Sequence, residues 1–134
     1  MIDNQHFRDG AKVSALGSSQ VTVDKTSTNT ASAASQTVKF MGPTTCYTSP
    51  SSTKSILIGG TYANLTNNSV NMFVELKSGS THTGIANDIP VPTGSSFVIS
   101  DAGKTVMAGD DEVRIYVDTD SAIDVTMGIL QGVN

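Results

Sequence analysis

The sequence predicts an all-β protein, an antiparallel β-sandwich with a jelly-roll-like arrangement and an extended N-terminal arm. Three observations support this prediction. Apolar and polar residues alternate with a period of two in several segments, which is typical of strands with one buried face. Turn-forming residues separate those segments. Charged residues make up only 15% of the chain, and Ser, Thr, Asn and Gly fill most of the other polar positions, a composition that favours strands and loops over helices.

The clearest alternation lies in three segments, Val70–Lys77, Glu112–Asp118 and Ile123–Leu130. In each one, every second residue is apolar, so a single face of the strand is suited to the core. The predicted core residues taken from these segments are Met72, Val74, Ile115, Val125 and Met127.

Weaker patterns predict five further strands, at Thr44–Thr48, Ser55–Asn64, Thr81–Ala86, Ser95–Ser100 and Thr105–Met107. Pro90 and Pro92 indicate a sheet edge or a crossing loop, because proline cannot donate to a central ladder. The pair Gly59-Gly60 indicates a bulge or a close approach of two backbones.

The chain has 134 residues, which fits one domain, and it divides into two unequal parts. Residues 1–40 are predicted to form a polar N-terminal arm or long loop segment, and residues 41–134 the β-sandwich. The arm has few apolar side chains to offset its ordering entropy. Our hypothesis is that it orders on a neighbouring subunit, with Phe7 and Phe40 as its large anchors. The alternative is that it adds a strand near Gln20–Val23 to its own sandwich.

Charge and hydropathy exclude several classes of function. The net charge is −4, and the acidic residues concentrate in the second half of the chain, which argues against a nucleic-acid ligand. No apolar run reaches the length of a membrane span. The chain starts without the basic and apolar regions of a signal peptide, so we expect synthesis in a cytoplasm and no export by a classical route. Cys46 is the single cysteine, and we expect a buried structural thiol.

No motif predicts catalysis, a cofactor or a metal site. His6 and His82 lie among polar residues, and we expect both to be solvated. The acidic run Asp118–Asp124 lacks the glycine and glutamate that an EF-hand calcium loop requires, so residues 118–121 are interpreted as a hairpin turn. The chain is therefore predicted not to be an enzyme.

The outward faces of the predicted strands carry the candidate interface. Phe73, Tyr116 and Leu130 fall on the solvent side of alternating strands, and an exposed apolar patch indicates a binding surface. The alternative is an ordinary outer face covered by the polar arm. With the two arm anchors added, the candidate interface residues are Phe7, Phe40, Phe73, Tyr116 and Leu130.

The order of features from Thr44 to Leu130 resembles the small β-sandwich head-decoration, or cement, proteins of tailed bacteriophages. A short strand ends near proline at 45–50, and a glycine-containing strand follows at 54–66. The alternating strand Val70–Lys77 precedes a proline loop at 88–96. The segment 107–113 and the closing strand Ile123–Leu130 complete the pattern.

The resemblance implies a structural role in the virion. It implies that the chain binds the outer surface of the shell formed by the major capsid protein, bridges neighbouring subunits and stabilises the expanded head. A homo-oligomer, dimer or trimer, is expected, with no nucleic-acid or membrane partner. The alternative function is a small β module of a phage tail, neck or fibre that takes part in attachment or binds a receptor or glycan. That alternative predicts exposed aromatic residues grouped in a pocket at a loop end.

Overall fold

The computed structural model describes residues 1–3, 7, 10–26, 38–100 and 104–132, and these residues form strands, turns and loops without a helix. The prediction of an all-β protein is therefore confirmed for this part of the chain. The strands are β1 (Ile2–Asp3), β2 (Val13–Leu16), β3 (Val21–Val23), β4 (Lys39–Phe40), β5 (Thr44–Thr48), β6 (Ser55–Asn64), β7 (Val70–Ser78), β8 (Thr81–Val91), β9 (Ser96–Ile99), β10 (Thr105–Met107), β11 (Glu112–Val117) and β12 (Ile123–Gln131).

Two four-stranded antiparallel sheets form the body of the protein. One sheet has the order β5-β11-β7-β8 and is called the covered sheet below. In the other, called the open sheet, β12 pairs with one side of β6, while β9 and β10 follow one another along its other side. Strands β7 and β8 form a hairpin. Most of the other connections from β5 onward cross from one sheet to the other.

The inward side chains of the two sheets form one hydrophobic core, which is the arrangement of a β-sandwich. Leu57 and Tyr62 enter the core from β6, and Met72 and Val74 enter it from β7. The buried cluster consists of Leu57, Tyr62, Val70, Met72, Val74, Ala86, Val91, Ile99, Met107, Val113, Ile115 and Ala122.

Most of the strand predictions are confirmed. The bounds of β5, β6 and β10 are those predicted, and the other five strands differ at one or both ends. Pro90 lies in β8, which is an edge strand of the covered sheet. The backbones of β6 and β9 approach one another closely at Gly59, since a Cβ added there would lie 2.7 Å from the carbonyl oxygen of Ile99.

The core prediction needs one correction. Met72, Val74 and Ile115 are buried, but Val125 and Met127 are only half-buried against the core. The physical reason is their position on β12, which has β6 as its one neighbour in the open sheet. Alternation identifies the inward face of a strand and does not show whether the strand lies at an edge.

The N-terminal residues form two small sheets of their own, β1 with β4 and β2 with β3. The amino group of Met1 donates to the carbonyl oxygen of Met41 at 2.9 Å, and the amide of Ile2 donates to that of Ala11 at 2.7 Å. Residues 1–3, 10–26 and 38–43 are called the N-terminal cover below, because Met1, Lys12 and Met41 among them contact the outer face of the chain's own covered sheet. The strand near Gln20–Val23 exists as β3, but it pairs with β2 and adds no strand to the sandwich.

Candidate functional site

The N-terminal cover buries the apolar part of the outer face of the covered sheet. Phe73 and Tyr116 are directly opposite one another on β7 and β11. Their exposures are 5% and 3%, and they form a second hydrophobic cluster with Met41 and with the partly buried Met1. The cover therefore occupies the apolar part of this face.

Glu75, next along the outer face of β7, holds the cover by polar contacts. Lys12 of the cover forms an ion pair with its Oε2 atom. The hydroxyl of Tyr116 donates to Oε1 at 2.7 Å, and Nδ1 of His82 hydrogen bonds with the same oxygen at 2.9 Å. The ammonium of Lys12 also lies 5.6 Å from the centre of the Tyr116 ring, within cation–π range. One buried carboxylate thus joins the cover to three neighbouring strands, β7, β8 and β11.

The environment of Glu75 keeps it ionised. Burial alone would raise the pKa of its carboxyl group, but hydrogen bonds from Lys12, Tyr116 and His82 outweigh burial and lower that pKa below its ordinary value. Burial, together with the adjacent Glu75, raises the pKa of Tyr116. The phenol therefore stays protonated and acts as a donor. We interpret these four side chains, Lys12, Glu75, His82 and Tyr116, as a polar cluster that holds the cover against the sheet, and we call this cluster the latch.

These contacts correct the predicted interface. The expectation that Phe73 and Tyr116 are exposed is wrong, because the polar N-terminal segment covers them, as in the alternative raised from the sequence. Leu130 is 49% exposed, but it lies on β12 of the other sheet, so it shares no patch with them. Phe7 is half-buried and Phe40 is exposed. His82 is not simply solvated, since it hydrogen bonds with Glu75.

The outer face of the open sheet carries the largest exposed apolar group that the described residues show. Ile56 on β6 is the ladder partner of Val106 on β10 and of Leu130 on β12, so these three side chains form one row across three strands. Val106 is 65% exposed. Ile58 lies two residues along β6 on the same face, and Val98 lies further along on β9. We call this surface the open face.

The open face has few charges. Its other outward residues include Thr61, Thr126 and Gly128, and Asp124 is at the far end of β12 from Leu130. The described strands thus leave one nearly uncharged surface on a protein whose net charge is −4. Such surfaces are suited to contact with another protein.

Most of the open face was missed in the sequence, although a signal for it exists. The strands contain consecutive apolar residues, as in Ile56-Leu57-Ile58, Phe97-Val98-Ile99 and Ile129-Leu130. In an antiparallel strand with one solvated face, alternate residues should be polar. Consecutive apolar residues therefore indicate a strand with two apolar faces, only one of which enters the core.

A groove of about 780 Å³ lies at one end of the sandwich. Residues 39–44 form one wall, and residues 117–123, between β11 and β12, form the other. Phe40, Asp118 and Asp120 are among its lining residues. The predicted turn at 118–121 is present, but it is not a hairpin turn, because it connects strands of different sheets.

The described residues contain no group of three or more His, Cys, Asp and Glu side chains placed to hold a metal ion. His6 lies outside the described residues. Cys46 is half-buried, and burial raises the pKa of its thiol.

Comparison with known proteins adds no relative. No protein-family model, curated protein or solved structure matches the chain. Where the structure describes the chain, it has no helix long and apolar enough to cross a membrane. The functional argument therefore depends on the two outer faces and on the groove.

Proposed function

We propose that this protein is a structural component of a bacteriophage virion, a decoration protein that binds the outer surface of the major capsid protein shell. It acts by binding and not by catalysis, and it stabilises the expanded head by bridging neighbouring capsid subunits. Its site of action is the outside of the capsid, after synthesis in the host cytoplasm. A dimer or trimer of the chain belongs to the same proposal.

The observation that carries this proposal is the open face. The two outer faces of the sandwich differ, because the cover buries the apolar residues of one sheet and leaves those of the other in solvent. Burying apolar side chains such as Val106, Leu130 and Val98 against a partner is favourable at about 25 cal/mol per Å². Because a capsid lattice carries many copies of the protein, many contacts of modest affinity would together stabilise the shell.

The ordered sequence features that resemble cement proteins supply the rest of the support. The finer parts of the fold prediction, a jelly-roll connectivity and an arm that reaches a neighbouring subunit, belong to the proposal. In this view the cover is the segment that would transfer to a neighbour, with Phe40 already exposed on its surface.

Val106→Asp is expected to abolish binding to capsids. Val106 is mostly exposed and lies at one end of the apolar row that crosses the open face, so a carboxylate there is tolerated in the free protein but is desolvated in the complex. The measurement is co-sedimentation of the purified protein with expanded heads from phage that lack the gene for this chain.

Leu65→Asp is the matched control, because Leu65 is similarly exposed but follows β6 in a loop outside the open face. It should bind like the unmodified protein. Equal binding by Val106→Asp would show that the open face does not contact the shell, and no binding by the unmodified protein would reject the capsid proposal.

A second candidate function is glycan binding by a tail or fibre module, and the groove at the sandwich end is the observation that favours it. An exposed Phe40 ring offers a flat apolar surface, and Asp118 and Asp120 offer acceptors for hydroxyl groups. Pockets that bind small molecules combine apolar walls with a few polar groups in this way.

Phe40→Ala is expected to abolish glycan binding if this second function is correct. A glycan array probed with the unmodified protein and with Phe40→Ala measures this effect. The absence of any bound glycan on the array would count against this candidate.

A further inference from the structure

We propose that two copies of this chain associate through strand β12, pairing antiparallel about a two-fold axis so that their open sheets form one continuous sheet. This inference specifies the dimer that the proposed function includes, but it depends on the edge of the open sheet and not on the outer face that would bind a capsid.

Strand β12 is an unprotected edge. It is nine residues long, and β6 is its one partner among the described strands. It contains no proline, lysine or arginine, which are the residues that natural proteins place on edge strands to block pairing. Its edge backbone groups are therefore a template for another strand.

The other edges of the two sheets are protected. Strand β5 is five residues long, and β9 and β10 have four and three. Strand β8 is long, but Pro90 lies in it, its register against β7 shifts twice, and Asp88 has a positive φ of 49°. Short strands, proline and bulges all oppose edge-to-edge pairing. Among the described edge strands, β12 is therefore the long one that lacks these protective features.

The inward side chains of β12 show what its edge position leaves exposed. Ile123, Val125, Met127 and Ile129 all face the core, and all four are only half-buried. The corresponding residues of the central strand β11, Val113 and Ile115, are buried. A strip of apolar surface thus remains exposed along the side of the sandwich, and a second sandwich at this edge would cover it.

The occupant that we assign to this edge is a second copy, because β12 can pair with itself without placing like charges opposite one another. In a pairing centred on Met127, all nine residues find partners, and outward residues face outward residues. Asp124 then lies opposite Leu130 of the second copy, and Thr126 opposite Gly128. This register keeps the two Asp124 carboxylates apart, whereas a register centred on Asp124 would place them opposite one another, which is unfavourable. An isologous contact of this kind closes as a dimer.

The first test is the mass of the full chain in solution by sedimentation equilibrium. The unmodified protein is expected at about twice 13.9 kDa. Val125→Lys is expected at the monomer mass, because an inward-pointing lysine at an edge blocks pairing. Circular dichroism checks that the variant stays folded. A monomeric unmodified protein, or a folded Val125→Lys variant that remains dimeric, would overturn the proposal.

The second test needs no loss of structure. Met127→Cys, in a Cys46→Ser background, places two thiols opposite one another at the proposed axis and is expected to give a disulfide-linked dimer under mild oxidation. Ser96→Cys in the same background is the control, because Ser96 is exposed on β9 at the opposite side of the open sheet. Equal cross-linking by the two variants, or none at Met127→Cys, would reject the β12 contact.

Discussion

Leu57→Ala is expected to lower the free energy of unfolding by about 2–5 kcal/mol, which corresponds to a fall in Tm of roughly 10–20 °C. Leu57 is fully buried, and it lies between β10 and β12 as the ladder partner of Thr105 and Ile129. The truncation removes apolar contacts and leaves a cavity that both sheets border. Urea unfolding followed by circular dichroism measures the loss.

Leu65→Ala is the matched control for this prediction, since it deletes the same atoms from a side chain that is mostly exposed. Its effect should stay within about 0.5 kcal/mol. Equal destabilisation of the two variants would contradict the placement of the Leu57 side chain in the core.

Glu75→Gln is expected to lower the free energy of unfolding by roughly 1.5–3 kcal/mol at neutral pH, the range for hydrogen bonds to a charged group. The amide keeps the shape of the side chain but loses the charge that Lys12 and Tyr116 recognise. The cover should also loosen, and limited proteolysis within residues 10–26 should become faster.

The difference between Glu75→Gln and the unmodified protein should depend on pH. The pKa of Glu75 is lower in the folded protein than in the unfolded chain. Its contribution is therefore complete above the unfolded pKa, about 4.3, and is lost as the pH falls through the folded value. We expect the stability difference to be largest at neutral pH and to shrink in acid.

Two controls support the interpretation of that experiment. Asp124→Asn removes a carboxylate from the exposed open face and should change stability by no more than about 0.5 kcal/mol. The unmodified protein should still lose stability in acid through Glu112, whose hydrogen bonds with Lys77 and Arg114 lower its pKa to about 2. A Glu75→Gln difference that does not vary with pH would show that Glu75 does not act through its charge.

The sandwich was largely predictable from the sequence, because alternation is a local signal. Residues two apart share a face in any strand, so segments such as Val70–Lys77 and Thr44–Thr48 could be assigned without tertiary information. The turn residues between these segments indicated where each strand begins and ends. The two-residue strands β1 and β4 gave no such pattern, since alternation needs several residues to be visible.

The candidate sites were less predictable, because alternation does not show what lies against a face. Phe73 and Tyr116 were correctly placed on an outward face, yet the N-terminal cover buries them. The latch at Glu75 joins residues 12, 75, 82 and 116, and no local pattern connects these positions. Val106 and Ile56 become neighbours only through the pairing of β10 with β6.

The crossing connections between the sheets have a consequence for how the chain folds. Strand β6 completes its sheet with β12, as in the pairing of Asn64 with Ile123, and β5 pairs with β11. Each of these strand pairings joins residues that lie far apart in the sequence, so the long segment between them must lose conformational entropy before the pairing forms. Folds that depend on such non-local contacts form slowly, in milliseconds to seconds. During synthesis on the ribosome, β6 emerges well before its partners. Its apolar run Ile56-Leu57-Ile58 stays unpaired until β10 and then β12 follow, and a transiently exposed apolar strand of this kind favours aggregation of the newly made chain.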